Sequence, residues 1–166
     1  MAEKNILIKE VLEHVGIFSF SEFYEYAYRW FKGEDYGVIE EKYAEKVSGS
    51  ARDFTVEWKS SKSLSDYFKI EISMKIEIIG ATDVEVEIEG AKKKMNKGRM
   101  RVDIKGVLIR DPDSKWDATP MYRFMREIYN KYIIPKTLEL REDKVTGDVR
   151  DFKEALKSFL ELQGRR

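Results

Sequence analysis

The sequence predicts an α+β fold: one antiparallel sheet of about five meander strands, with one face covered by N-terminal and C-terminal helices. Three observations predict it. Apolar residues recur at helical spacing near both ends, they alternate with charged residues over 53–109, and 166 residues is the length of one domain. We expect a single domain over residues 1–166, with a helical part at 1–33, the sheet at 38–110 and helices at 119–163.

Composition excludes several classes of protein. The 31 basic and 31 acidic residues balance, which argues against a nucleic-acid coat or a polybasic membrane anchor. Without Cys and with one His, the chain has no disulfide framework and no zinc site that needs two imidazoles. We predict no cofactor, no membrane span and no secretory signal, hence a cytoplasmic location. The abundance of Lys, Glu and Ile resembles the bias of thermophile proteins.

Two helices are predicted before the sheet. The second is the better defined, because Ser19 and Glu22 form a capping box and Gly33 is a natural end. The first, over residues 5–16, is indicated by four apolar residues at helical spacing: Ile8, Val11, Leu12 and Val15.

The alternation over residues 53–109 predicts strands with one buried and one solvent-exposed face. Facing residues in a hairpin should match in polarity, and this predicts three registers. They pair Ile88 with Met100, Ile78 with Val84, and Trp58 with Phe68. A less regular first strand at 38–47 would carry Glu45 on its inner face, as a buried carboxylate with a raised pKa.

The chain returns to helix after the sheet. Thr119 is the predicted N-cap, with Pro120 at the first helical position. Pro135 ends or kinks this helix, and Gly147 separates a last helix, over 148–163, from what precedes it. The helix from Thr119 carries an apolar stripe expected to face the core: Met121, Phe124, Met125, Ile128 and Tyr132.

The densest feature is the aromatic segment 18–31. Its rings span about 200° of a helix, whereas an ordinary surface helix needs an apolar stripe of about 100°. Either the helix is wedged between the sheet and another helix, or its tyrosine flank binds a protein partner or a second copy. The candidate contact residues are Tyr24, Tyr26, Tyr28, Trp30, Tyr122 and Tyr129.

Basic residues suggest an anion site as an alternative. Segment 90–98 reads as a projecting hairpin tip that could contact phosphates. It lacks an aromatic side chain for stacking on bases, so nucleic acid is the less favoured partner. The candidates are Lys92, Lys93, Lys94 and Lys97 in the tip, and Arg123 and Arg126 on the back of the helix from Thr119.

Three carboxylates in one short loop, those of Asp111, Asp113 and Asp117, could bind a divalent metal and serve an enzyme. The loop lacks the spacing of an EF-hand, and no second acidic cluster or phosphate-binding glycine loop is evident. A turn at Asp111-Pro112 that leads to a helix cap explains the same residues.

The absence of a catalytic constellation favours a small, soluble, non-enzymatic binding or interaction module that uses an aromatic helix surface. A carrier of an apolar small molecule is an alternative, because a curved sheet closed by a C-terminal helix can leave a cavity. The residues expected to line that cavity are Ile72, Met74, Ile76, Met100, Met125 and Tyr129.

Overall fold

The computed structural model describes residues 3–111, 118–129, 131 and 134–164. Within these ranges the chain is α+β, as predicted. The elements, in chain order, are β1 (Glu3–Phe18), α1 (Phe20–Gly33), β2 (Gly37–Ser48), β3 (Ala51–Ser63), β4 (Phe68–Ile88), β5 (Ala91–Arg110), α2 (Pro120–Ile128) and α3 (Ile134–Gly164).

The five strands form one antiparallel sheet in the order β1-β5-β4-β3-β2. Strands β2 to β5 are a meander, in which each strand pairs with the next. The N-terminal strand β1 pairs with β5 and forms the edge opposite β2. The predicted five-stranded sheet is confirmed, but its strands differ from those predicted. The two strands predicted around Ile78 and Val84 are one strand, β4. The fifth strand is β1.

The predicted helix over residues 5–16 is wrong, since these residues lie in β1. Ile8 and Leu12 face the core, whereas Val11 and Val15 lie on the other face and are 41% and 71% exposed. Two apolar residues on each face of one strand thus imitate the spacing of a helix. The many β-branched side chains in this segment were the sequence signal for a strand.

The predicted hairpin registers are also wrong. The β4–β5 hairpin turns at residues 89–90, so Ile88 lies near the turn and does not face Met100. Met100 faces Ile78 instead, and Val84, the predicted partner of Ile78, lies in the same strand.

The rule of matched faces holds for part of the observed registers, although Val86 faces Lys93 and Glu71 faces Val107. Trp58 faces Met74 rather than Phe68, and the outward Glu77 faces Arg101. A register shifted by an even number of residues keeps every side chain on its own face. Polarity alone therefore does not choose among such registers.

Both predicted N-caps are confirmed. The Ser19 hydroxyl accepts a hydrogen bond from the Glu22 amide at 3.4 Å, and α1 ends at Gly33. The Thr119 hydroxyl accepts one from the Tyr122 amide at 3.2 Å, with proline in the first turn of α2. These side chains satisfy amides that have no partner inside the helix.

Helices α1 and α3 cover the inner face of the sheet. Helix α1 buries Phe23, Ala27 and Phe31. The sheet and α3 supply the other side of the core, including Ile70, Ile72, Ile76, Ile78, Val102, Ile104, Val149, Phe152, Leu156 and Leu160. In the described part of the chain, the buried helical residues of this core all belong to α1 and α3, which lie on the inner face.

Helix α3 is continuous from Ile134 to Gly164, so the predicted break at Gly147 and the helix limits 148–163 are wrong. Pro135 lies in its first turn, where a missing amide costs nothing, and it begins this helix rather than ending the previous one.

Gly106 of β5 allows α3 to approach the sheet closely. A Cβ added there would lie 2.8 Å from a methyl of Val149 and 2.9 Å from a methyl of Val145. Beside this contact, the Lys153 ammonium lies 3.0 Å from the inward carboxylate of Glu10. The helix is therefore fixed on the sheet by close packing and by an ion pair.

Candidate functional site

The aromatic flank of α1 that faces α3 is packed inside the molecule. The ring of Tyr26 stacks on Phe159, with centroids 4.4 Å apart and planes 9° apart. Trp30 packs on Phe152 with centroids 4.7 Å apart. These two predicted contact residues therefore join α1 to α3.

The other flank of α1 faces the sheet. Tyr24 and Tyr28 approach the Trp58 ring edge-on, at 4.8 and 6.2 Å between centroids. The Tyr24 hydroxyl donates a hydrogen bond to Glu40, and burial followed by this hydrogen bond raises the pKa of Tyr24 to about 12. Of the four α1 residues predicted to contact a partner, only Tyr28 is exposed, at 41%. Helix α1 is thus wedged between β3 and α3.

The four lysines predicted to form a hairpin tip lie instead in β5: Lys92, Lys93, Lys94 and Lys97. The turn itself is at residues 89–90. Lys93 forms an ion pair with Glu22 of α1, and Lys94 lies 3.9 Å from Asp83. Two of the four lysines therefore contact carboxylates of this chain, and the binding of an external anion by the four stays a prediction.

Helix α2 is oriented opposite to the prediction. Its apolar stripe faces solvent, with Met121, Tyr122, Phe124, Met125 and Ile128 exposed by 73, 47, 63, 47 and 40%. Its one buried residue is Arg126, predicted to lie on a solvated face. Tyr132, also assigned to the stripe, lies outside the residues that the structure describes.

Arg126 attaches α2 to the sheet. Its Nη2 lies 2.6 Å from a carboxylate oxygen of Glu3 in β1, and its Nε donates to the Tyr67 hydroxyl at 3.3 Å. Tyr129, partly buried, packs edge-on against Tyr67 with centroids 5.5 Å apart. Arg123 is exposed. The helix is therefore held by polar contacts and one ring, which leave the apolar stripe outward.

The acidic loop is only partly described. Asp111 is 1% exposed, and its amide donates to the Tyr67 carbonyl at 2.7 Å. Asp113 and Asp117 lie outside the described residues. Within the ranges that the structure covers, no group of three or more potential metal ligands is found. The metal site stays a prediction.

The residues predicted to line an apolar cavity do not share one environment. Ile72, Met74, Ile76 and Met100 are buried in the core, whereas Met125 lies on the outward stripe of α2. Binding of an apolar small molecule between the sheet and α3 stays a prediction.

Glu45 is not buried, contrary to the prediction. It lies on the same face as Tyr43, but every residue from 39 to 48 is exposed. Its carboxylate lies 3.6 Å from the guanidinium of Arg52. Among the described residues, helix α1 reaches this stretch of β2 only at Glu40 and Tyr43, through Tyr24 and Phe20.

Two further findings bear on function. Among the helices in the described ranges, none combines the length and the apolar character needed to cross a bilayer. Neither the protein-family models nor the curated proteins compared with this chain give a match.

Proposed function

We propose that the protein is an interaction module that binds a second copy of itself through the outward apolar stripe of α2. The observation that carries the proposal is the orientation of this helix. Five of its nine residues are large apolar side chains at least 40% exposed, while its buried residue is an arginine. A contiguous apolar surface on a short helix is a usual mark of a binding surface.

The side chains on this stripe suit contact with protein. Met121 and Met125 are flexible and polarisable and adapt to an opposing surface. Tyr122 and Phe124 provide large rings of the type that anchor protein interfaces. The aromatic flanks of α1, by contrast, pack against α3 and β3. We therefore propose α2, rather than α1, as the contact surface.

The order of residues in the stripe supports a second copy as the partner. In an antiparallel pair of α2 helices, a two-fold axis between Phe124 and Met125 places Phe124 opposite Met125 of the other copy. The same axis places Met121 opposite Ile128. These four residues thus meet apolar residues of the other copy, as an isologous contact requires.

A membrane surface is a weaker fit for this helix. Interfacial helices that bind bilayers carry a polar face rich in Lys and Arg. In α2 the polar face carries Glu127 beside Arg123, and Arg126 is engaged by Glu3. The helix therefore lacks the excess of positive charge that attracts anionic lipid.

Light scattering coupled to size exclusion, over a series of concentrations, tests the proposal. We expect the mass of the wild type to rise from that of one chain towards two. The interface is small, because one helix of nine residues supplies it, so a dimer should form only at high concentration. Phe124→Ser and Met125→Ser should keep the chain monomeric and leave its thermal stability unchanged, since both side chains are exposed.

The matched control is Tyr28→Ser, which removes a comparably exposed ring from α1. We expect this variant to self-associate as the wild type does. A wild type that stays at the mass of one chain at every concentration contradicts the proposal. Loss of association in Tyr28→Ser alone would move the interface to α1.

A further inference from the structure

The outer face of the sheet carries rows of side chains that cross all five strands. Two neighbouring rows alternate in charge over several strands: Val11, Asp103, Lys75, Glu57 and Lys42, and Glu13, Arg101 and Glu77. Opposite charges at facing positions stabilise neighbouring strands. The alternation therefore explains much of the balance of charge in the sequence.

The next row has no such alternation and brings two lysines together. It runs across β1, β5, β4, β3 and β2 through Lys9, Lys105, Ser73, Lys59 and Ile39. Lys9 and Lys105 face each other directly, and like charges at facing positions destabilise a sheet. The fold keeps this unfavourable pair beside a row whose charges are complementary.

The nearby carboxylates are engaged by other cations. The ion pairs are Glu10–Lys153, Glu41–Lys59, Glu57–Lys75 and Asp103–Arg101, with N–O distances of 3.0, 3.1, 3.9 and 3.3 Å. Among the described residues, Lys9 and Lys105 have no carboxylate within ion-pair distance. Two positive charges thus remain unbalanced at adjacent positions.

These two lysines line a trough on the outer face with a volume of about 560 Å³. All five strands contribute to its lining. Ser73 lies on its floor in the central strand β4, where the neighbouring outward side chains Glu71 and Lys75 are longer. The Ser73 hydroxyl faces the Lys105 position and can donate a hydrogen bond beside the two ammonium groups.

We propose that this trough binds a small phosphate-bearing molecule through Lys9, Lys105 and Ser73. Ammonium groups bind phosphate as point charges with rotatable donors. Two adjacent ammoniums match a doubly charged phosphate group, whose binding relieves the repulsion between them. The volume also suits a small organic ligand. The carboxylates of Glu41, Glu57 and Asp103 in the lining would repel an extended polyanion such as RNA.

Titration calorimetry with inorganic pyrophosphate at low salt tests the site. We expect wild-type protein to bind, and each of Lys9→Gln and Lys105→Gln to weaken binding about tenfold. Ser73→Ala should weaken it less. The control is Lys157→Gln, which removes an exposed lysine from α3, on the other side of the sheet. It should bind as the wild type does.

Thermal unfolding separates loss of the site from loss of the fold. Because Lys9→Gln removes a repulsive pair, its melting temperature without pyrophosphate should equal or exceed that of the wild type. Absence of heat with wild-type protein overturns the proposal, as does binding that neither lysine variant weakens. Tighter binding of single-stranded RNA than of pyrophosphate, lost in the same variants, would assign the trough to nucleic acid instead.

Discussion

The hydroxyl of Tyr36 donates a 2.6 Å hydrogen bond to Oδ2 of Asp148, and both side chains are buried. Tyr36 lies between α1 and β2, whereas Asp148 belongs to α3. The other carboxylate oxygen of Asp148 accepts from Lys144 at 2.9 Å. This carboxylate therefore joins distant parts of the chain.

Tyr36→Phe should lower the free energy of unfolding by about 2 kcal/mol, because a buried carboxylate loses a donor. Denaturant unfolding at neutral pH measures the change. Tyr26→Phe is the control, since no hydrogen-bond partner for its hydroxyl is found in the described part of the chain and its ring stacks on Phe159. Equal stability of both variants would contradict the prediction.

Stability should fall steeply in alkaline solution. Burial, and then the hydrogen bond to Asp148, raises the pKa of Tyr36 well above its ordinary value. In the unfolded chain this phenol titrates near pH ~10. Above that pH the unfolded state loses the proton first, so Tyr36 should contribute a loss of up to about 1.4 kcal/mol per pH unit. Below pH ~10 the contribution of Tyr36 to the free energy of unfolding is fully present.

The alkaline slope is measured by denaturant unfolding at a series of pH values. Tyr36→Phe should make the slope shallower. Part of the slope should remain, because the pKa of Tyr24 is raised to about 12 and the pKa of Lys144 is raised by its hydrogen bond with Asp148. An unchanged slope in Tyr36→Phe would sink this assignment.

Two glycine substitutions should act with opposite signs. Gly106→Ala places a methyl against Val149 and Val145 of α3, and overpacking of this kind costs about 1–3 kcal/mol. Gly147→Ala meets no atom within 4 Å and lies inside a helix, where alanine is favoured by about 1 kcal/mol. Calorimetric melting should lower Tm for the first and raise it for the second.

Arg126→Met should loosen α2 without unfolding the sheet. The guanidinium contacts Glu3 and Tyr67, and because Glu3 is exposed, we expect only about 1 kcal/mol of lost anchoring. Hydrogen exchange should show faster exchange of the α2 amides, with the β4 and β5 amides unchanged. Glu127→Gln, whose side chain in α2 is exposed, is the comparison and should exchange as the wild type does.

The periodicity of the sequence predicts faces better than partners. Alternation correctly separates inner from outer residues over 54–58, 68–78 and 100–104, and the caps at Ser19 and Thr119 are local signals that need no tertiary contact. Registers depend on where the chain turns. The turn lies at residues 89–90, and Gly90 is only one of several glycines in this region that could mark a turn. The segment 5–16 imitates the pattern of a helix because both faces of this strand are partly apolar.

The same limit applies to the candidate sites. The stripe on α2 is readable in the sequence, but periodicity does not tell whether it meets the core or solvent. Its orientation depends on the distant residues Glu3 and Tyr67, which bind Arg126. Lys9 and Lys105 become neighbours only through the pairing of β1 with β5, so a local pattern could not have revealed them.

The pairing of β1 with β5 also has a consequence for biosynthesis. Glu3 faces Arg110 and Phe18 faces Asn96, so β1, synthesised before the other four strands of the sheet, pairs with the strand synthesised last. The β2–β5 meander is built from successive hairpins and can form first, whereas closing the long loop back to β1 is slow. Until β1 arrives, the open edge of β5 is a template for pairing with other chains. We expect nascent chains to be most vulnerable to aggregation in that interval.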